Sequence, residues 1–191
     1  MKRIFSLLVW LMVAVQARAE APQEFAKRFY ENCVKWKIRG VPDAGERKKL
    51  MPFLNAALLK LFVDAEKQRV DFMRRHPLDP KHPELAEKPP WTKEGDCLSS
   101  TYEGITSFSV GQEEKVGNQV QVTAHLKYVE GKDVVGWTDK LVLDPARDGW
   151  IIADIRLGGE SDGSLVKKMQ DEIAEVAKEA KEEKPAEKPH K

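Results

Sequence analysis

Apolar and polar residues alternate over residues 119–157, and this alternation predicts three β-strands joined by two tight turns. In the first strand, residues 119–129, one face is apolar and the other is polar: Val120, Val122, Ala124, Leu126 and Tyr128 against Gln121, Thr123, His125 and Lys127. Turn residues at 130–133 and 145–149 separate the strands predicted at 137–144 and 150–157. The sheet should therefore have one buried face, which a layer of helices must cover.

The first helix of that layer is predicted at residues 22–36. Phe25, Phe29 and Cys33 recur four residues apart, so they stack on one helix face as core residues. Pro22 suits the first turn, because a backbone N–H would lack an intrahelical partner there in any case.

The second helical region, residues 43–75, carries a longer apolar stripe. Because proline is not tolerated inside a helix, Pro52 divides this region into a short turn through Lys49 and a helix that opens near Pro52. Farther along, a strand is predicted at 105–110 and a polar hairpin loop at 111–118.

After the meander the composition changes. Residues 158–163 are a glycine-rich linker, and Ser164 can cap a helix that has Leu165 and Met169 at helical spacing. From residue 178 onward, a mixture of Lys, Glu, Ala and Pro cannot bury enough apolar surface to fold, so this tail is expected to be disordered or a loosely docked helix. The sequence thus predicts a signal peptide at 1–19, an α+β domain at 20–158, and a charged C-terminal helix with a disordered tail at 159–191.

The first 19 residues have the three parts of a secretory signal peptide. Lys2 and Arg3 form a positive start, residues 4–15 are apolar apart from one serine, and residues 17–19 read Ala-Arg-Ala, a small-x-small cleavage pattern. We predict cleavage before Glu20 and an exported chain, periplasmic or secreted, without a stable membrane anchor. An uncleaved anchor is the alternative, although the apolar run is short for a membrane span.

Charge and cysteine content add two expectations for the mature chain. Cleavage leaves 29 basic and 31 acidic residues, and a net charge near −2 gives no field that would attract nucleic acid. Cys33 and Cys97 can form one disulfide in an oxidising compartment, which would tie the first helix to the segment that enters the sheet. Two buried thiols are the alternative.

No metal or cofactor site is predicted. His76 and His82 lie six residues apart in a proline-rich segment without a third ligand at a recognisable spacing, which favours ordinary surface histidines. The sequence contains no Ser-His-Asp set, glycine-rich phosphate loop or metal-binding cluster.

Several short segments together suggest a fold family. They are Lys88-Pro89-Pro90, Gly95-Asp96, Glu103-Gly104, Trp137-Thr138-Asp139 and the strand at 149–155. With these segments the chain, over roughly residues 22–157, resembles the nuclear transport factor 2-like superfamily of cone-shaped, cystatin-like α+β domains, and its exported bacterial members of unknown function. The resemblance implies N-terminal helices packed on a curved antiparallel sheet. Because that superfamily includes isomerases, dehydratases, transport adaptors and inert dimer modules, it implies no single activity.

Enzymes of this superfamily use a pocket between the sheet and the helices, with Asp, His or Tyr as acid or base. The corresponding candidates in this chain are Asp139, Asp154, His125, Tyr102 and Tyr128. Of these, His125 falls opposite the apolar face and should face solvent.

The two aspartates would form an acid/base pair in one strand register. If the second turn pairs Leu143 with Trp150, then Asp139 faces Asp154, and two facing carboxylates would raise one pKa. A register that differs by one residue sets Lys140 against Asp154 and gives an ordinary cross-strand ion pair. The sequence does not decide between these registers.

Three functions are compatible with these patterns. The first is a non-catalytic module that binds a small ligand or an envelope protein in its groove or on its outer sheet face. The second is an isomerase- or dehydratase-like enzyme that uses Asp139 and Asp154. The third is an interaction protein that forms a homodimer or a partner contact through the outer face. We favour the first, because the sequence has no catalytic constellation.

Overall fold

The structure is a computed structural model that describes residues 20–77, 98, 104–158 and 163–182. In these residues the fold is α+β, as the sequence predicts. The elements are α1 (Pro22–Trp36), α2 (Ala44–Leu50), α3 (Ala56–Arg75), β1 (Ser107–Val116), β2 (Gln119–Glu130), β3 (Asp133–Ala146), β4 (Gly149–Leu157), β5 (Gly163–Ser164) and α4 (Leu165–Glu182). The five strands form one antiparallel sheet in chain order. The predictions for residues 1–19, His82, Cys97, Tyr102 and the tail beyond residue 182 fall outside the described residues.

The helices agree with the sequence pattern except at the start of α3. The bounds predicted for α1 are confirmed. The prediction of a turn followed by a helix from Pro52 is wrong, because Asp43 begins α2 with a capping box in which its side chain and that of Glu46 accept each other's backbone N–H. Pro52 lies in the link, and α3 begins after Asn55, whose Oδ1 accepts the N–H of Leu58 at 2.8 Å.

The strands are longer than their alternation suggests. The polar hairpin loop predicted at 111–118 is wrong, because β1 continues to Val116. The register between β1 and β2 shifts between Val110 and Glu113, and this β-bulge interrupts the alternation that would have marked the strand. Similarly, β3 begins at Asp133, four residues before the predicted start.

One hydrophobic core lies between the helices and one face of the sheet. The sheet contributes Val122, Ala124, Leu126, Leu141, Leu143, Ile152, Ile155 and Leu157, and the helices contribute Phe25, Phe29, Tyr30, Cys33, Leu58, Phe62, Ala65, Leu165 and Met169. Helix α1 lies over β1 and β2, whereas α3 and α4 pack against each other and reach β4. Because α4 places Leu165 and Met169 in this core, it is part of the same packed unit as residues 20–158.

The link between α2 and α3 binds β4 directly. The N–H of Ile152 donates to the carbonyl of Phe53 at 2.7 Å, and the N–H of Asn55 donates to the carbonyl of Ile152 at 3.0 Å. This short parallel bridge covers part of a strand edge whose backbone groups would otherwise be open to another chain. None of the helices in the described residues is long and apolar enough to cross a membrane.

Candidate functional site

Asp139 lies in the middle of β3, on the face that packs against the helices, and its exposed fraction is 0%. Its Oδ1 accepts the backbone N–H of Gly158 at 2.9 Å, and its Oδ2 accepts Nε1–H of Trp137 at 3.2 Å. Hydrogen bonds of this kind are what a buried carboxylate requires. Asp139 therefore connects β3 to the residue that follows β4, which is a structural role.

Asp154 lies on the other face of the sheet and is engaged differently. Its Oδ1 accepts the backbone N–H of Val166 at 3.1 Å, in the first turn of α4, and that of Ile155 at 2.9 Å. Its Oδ2 is 3.7 Å from Nε of Arg156. A carboxylate at the start of a helix satisfies a backbone donor and complements the helix dipole, so Asp154 helps to start α4.

The two aspartates do not face each other, so the acid/base arrangement considered from the sequence is not formed. Asp154 pairs with Val142, and Leu143 pairs with Ile152, which leaves Ala153 without a partner on β3. One extra residue turns every later side chain of the strand to the opposite face. Asp139 and Asp154 thus belong to two different surfaces, and each holds backbone donors.

Tyr30 is a buried hydroxyl close to Asp139. It is 0% exposed, and within the described part of the chain its hydroxyl has no hydrogen-bond partner. Burial raises its pKa well above the ordinary value of 10.0, and the negative charge of Asp139 acts in the same direction. The hydroxyl is therefore neutral and inside the core.

Replacing Tyr30 by phenylalanine should keep or raise stability, by up to about 1 kcal/mol at pH 7, because an unpaired buried hydroxyl is lost. The native pKa lies above the unfolded one, so stability should fall as pH rises past about 10, where only the unfolded tyrosine ionises. Urea denaturation at pH 7 and pH 10.5 measures both effects. Tyr30→Phe should lose less stability at pH 10.5 than the wild type does.

Tyr128→Phe is the matched control, because the Tyr128 hydroxyl is on the surface and donates to Glu130 at 3.0 Å. It should show the same alkaline response as the wild type. A strong loss of stability in Tyr30→Phe at pH 7 would mean that the hydroxyl has a hydrogen-bond partner, contrary to the structure.

The remaining sequence candidates are separate from the buried aspartate. His125 is exposed on the outer sheet face, as predicted, with Nδ1 3.0 Å from the hydroxyl of Thr138. His76 stacks on Phe72, with ring centroids 4.3 Å apart. Cys33 is buried, and burial raises the pKa of its thiol. The described residues contain no group of three or more His, Cys, Asp or Glu side chains that could hold a metal ion.

Outside the core, a cavity of about 380 Å³ lies on the outer face of the sheet. Its lining residues are Gln121, Thr138, Lys140, Arg156, Leu157, Gly158 and Gly163. Lys140 is directly opposite Arg156 in the register of β3 and β4, rather than opposite Asp154. The alternation along the strands suggests Lys140 only as an ion-pair partner of Asp154. Lys140 and Arg156 share a face because of the bulge in β4, which the alternation does not reveal.

Two other described cavities are less suited to a charged ligand. One, of about 370 Å³ at the end of α1, is lined by Lys37 and Arg39 together with Glu130. Another, of about 470 Å³ between α3 and α4, contains Asp71, which pairs with Arg74 at 3.1 Å. Of these three cavities, the one on the outer face alone has cations and no acidic side chain among its described lining residues.

Comparisons with protein-family models, curated proteins and solved structures found no match. The function of the chain must therefore be argued from its own residues. Lys140 and Arg156 are accessible in the cavity on the outer sheet face, whereas the buried carboxylate of Asp139 holds backbone and indole donors.

Proposed function

We propose that this chain is an exported, non-catalytic binding module that holds a ligand in the cavity on its outer sheet face. The observation that carries the proposal is the cavity itself, about 380 Å³ and lined by Gln121, Thr138, Lys140 and Arg156. The strands fix the backbone positions of these residues, so the arrangement of the site on the sheet exists before a ligand arrives, which lowers the cost of binding.

The enzyme alternative has less support. An acid/base pair needs two groups that reach one substrate, and Asp139 and Asp154 lie on opposite faces of the sheet. Asp139 is also 0% exposed, so no solvent-accessible part of its side chain is available to a substrate in this structure.

A cavity-filling substitution tests the binding module. Purified mature protein would be screened by thermal shift against small compounds of positive, neutral and negative charge, and hits confirmed by calorimetry. Gln121→Trp should abolish binding, because Gln121 lines the cavity. Ser109→Trp is the control, since Ser109 pairs with His125 on the same outer face but is not among the lining residues. A set of hits that Gln121→Trp leaves unchanged, or a screen without hits, would count against the proposal.

The compartment and the fold family are also parts of the proposal. Glu20, the first residue of the predicted mature chain, is bound to the domain: its carboxylate pairs with Arg28 at 2.6 Å, and its carbonyl accepts Nε1–H of Trp150 at 2.8 Å. These contacts support a domain boundary at the predicted cleavage site. The α+β arrangement supports, at a coarser level, the proposed nuclear transport factor 2-like cone.

Cys33 is a free thiol in this structure, and its disulfide with Cys97 is a proposal for the exported protein. Cys33 is buried in the core, and Leu98, the residue after Cys97, is also a core residue with 7% exposure. Cys97 itself lies outside the described residues. A thiol count on exported, denatured protein should find no free thiol, whereas two free thiols would exclude the bridge.

A further inference from the structure

Two positive charges face each other on the outer surface of the sheet. Lys140 on β3 and Arg156 on β4 are direct cross-strand partners, and both are exposed. Like charges placed directly opposite each other in a sheet are destabilising. The outer face of the sheet therefore carries a pair of like charges that lowers its stability.

Within the described residues, only Arg156 of this pair has an acidic partner, and that ion pair is long. The side chain of Lys140 makes no ion pair or hydrogen bond there, while Nε of Arg156 and Oδ2 of Asp154 form an ion pair at 3.7 Å. That distance is beyond hydrogen-bond range, and the other oxygen of Asp154 already accepts the N–H groups of Ile155 and Val166. The pair thus retains positive charge that a bound anion would neutralise.

The surrounding groups suit an oxyanion. The planar guanidinium of Arg156 can bind two oxygens of a phosphate or carboxylate at once, and the ammonium of Lys140 adds a point charge. Gln121 and Thr138 line the same cavity and supply an amide and a hydroxyl. A volume of about 380 Å³ leaves room for a small organic group attached to the anion.

We propose that Lys140 and Arg156 form an oxyanion-binding site, which takes the phosphate or carboxylate end of a small ligand. This inference rests on the proposed function, because it concerns the same cavity. It adds the chemical class of the ligand and the two residues that recognise it. Thr138 extends the site toward His125, whose Nδ1 lies 3.0 Å from the threonine hydroxyl.

The first experiment measures binding of inorganic phosphate and of acetate by calorimetry, with chloride added to keep the ionic strength equal. The wild type should bind at least one of these anions saturably. The double variant Lys140→Gln/Arg156→Gln should bind it about tenfold more weakly or not at all, since two charge-assisted contacts are lost.

Lys127→Gln is the matched control. Lys127 is exposed on the same face, but its partner on β3 is Gly136 and it does not line the cavity. Its substitution removes one positive charge, against two in the double variant. It should keep the wild-type affinity. Equal losses in Lys127→Gln and in the double variant would show a general charge effect and overturn the proposed site.

A third variant separates recognition from folding. Lys140→Glu places a carboxylate opposite Arg156 and replaces repulsion by attraction, so it should raise the urea midpoint while abolishing anion binding. A Lys140→Glu variant that still binds phosphate with wild-type affinity would exclude Lys140 from the site.

Two further experiments distinguish the possible sources of the anion, and distinguish the oxyanion site from the binding module. Vesicles of phosphatidylglycerol, compared with phosphatidylcholine vesicles and free glycerol phosphate, distinguish a lipid headgroup from a soluble phosphate ester. If neutral compounds bind and Gln121→Trp abolishes their binding, while phosphate and acetate do not bind, the oxyanion inference fails and the binding module stands. If nothing binds in the cavity, both fail.

Discussion

Replacing Gly158 by alanine should destabilise the domain more than any other single-methyl change considered, by about 3 kcal/mol. A Cβ at this position would lie 1.8 Å from the carbonyl oxygen of Thr138 and 3.0 Å from its carbonyl carbon. Both atoms belong to the backbone of a central strand and cannot rotate away. The clash would also strain the hydrogen bond from the N–H of Gly158 to Asp139.

Gly136→Ala is the control for this substitution, because Gly136 lies in the exposed part of β3 and has space for a methyl group. The nearest atoms to its added Cβ are 3.8 Å and 4.0 Å away, which is ordinary van der Waals contact. Its stability should change by less than about 0.5 kcal/mol or increase slightly, since glycine weakens a strand. Urea denaturation compares the two variants; equal stabilities would mean that Gly158 is not packed against β3 as described.

Replacing Asp139 by alanine should reduce the free energy of unfolding by about 3 kcal/mol. The substitution leaves the N–H of Gly158 and the indole N–H of Trp137 without their acceptor, in a region where Asp139 is 0% exposed. It also removes a buried side chain and leaves a void. Urea denaturation with tryptophan fluorescence measures the change in stability and reports on Trp137.

Two further variants test whether the loss of stability comes from the buried hydrogen bonds of Asp139. Asp139→Asn keeps a carbonyl oxygen that can accept one of the two donors, so it should be less destabilising than Asp139→Ala. Asp133→Ala removes an exposed carboxylate at the start of the same strand and should change stability by less than about 0.5 kcal/mol. An Asp139→Ala variant as stable as Asp133→Ala would contradict the structural role of the buried carboxylate.

Helix α1 and the buried face of β2 could be predicted because their periodicity is uninterrupted. Phe25, Phe29 and Cys33 repeat at helical spacing, and Val122 and Leu126 alternate with polar residues; all five are in the core. In both segments the pattern depends only on neighbours along the chain, which a single sequence contains in full.

The length of β1 and the faces of the two aspartates could not be predicted, because they depend on β-bulges that the alternation of apolar and polar residues does not reveal. The bulge at Ala153 places Asp154 on the face opposite to that of Asp139. The bulge between Val110 and Glu113 interrupts the alternation in β1, so its second half has the sequence pattern of a loop. Each bulge adds a residue to one strand only, so its position depends on contacts with the partner strand. The candidate cation pair was hidden for the same reason.

The bridge between the α2–α3 link and β4 has a consequence for how the chain folds. Phe53 and Asn55 bond to Ile152, which is far away in sequence, so this contact requires the closure of a long loop. An emerging chain cannot form this bridge until β4 has been synthesised. A nascent protein that acquires its tertiary structure this late would stay unfolded long enough to pass through a membrane translocase, which the proposed export requires.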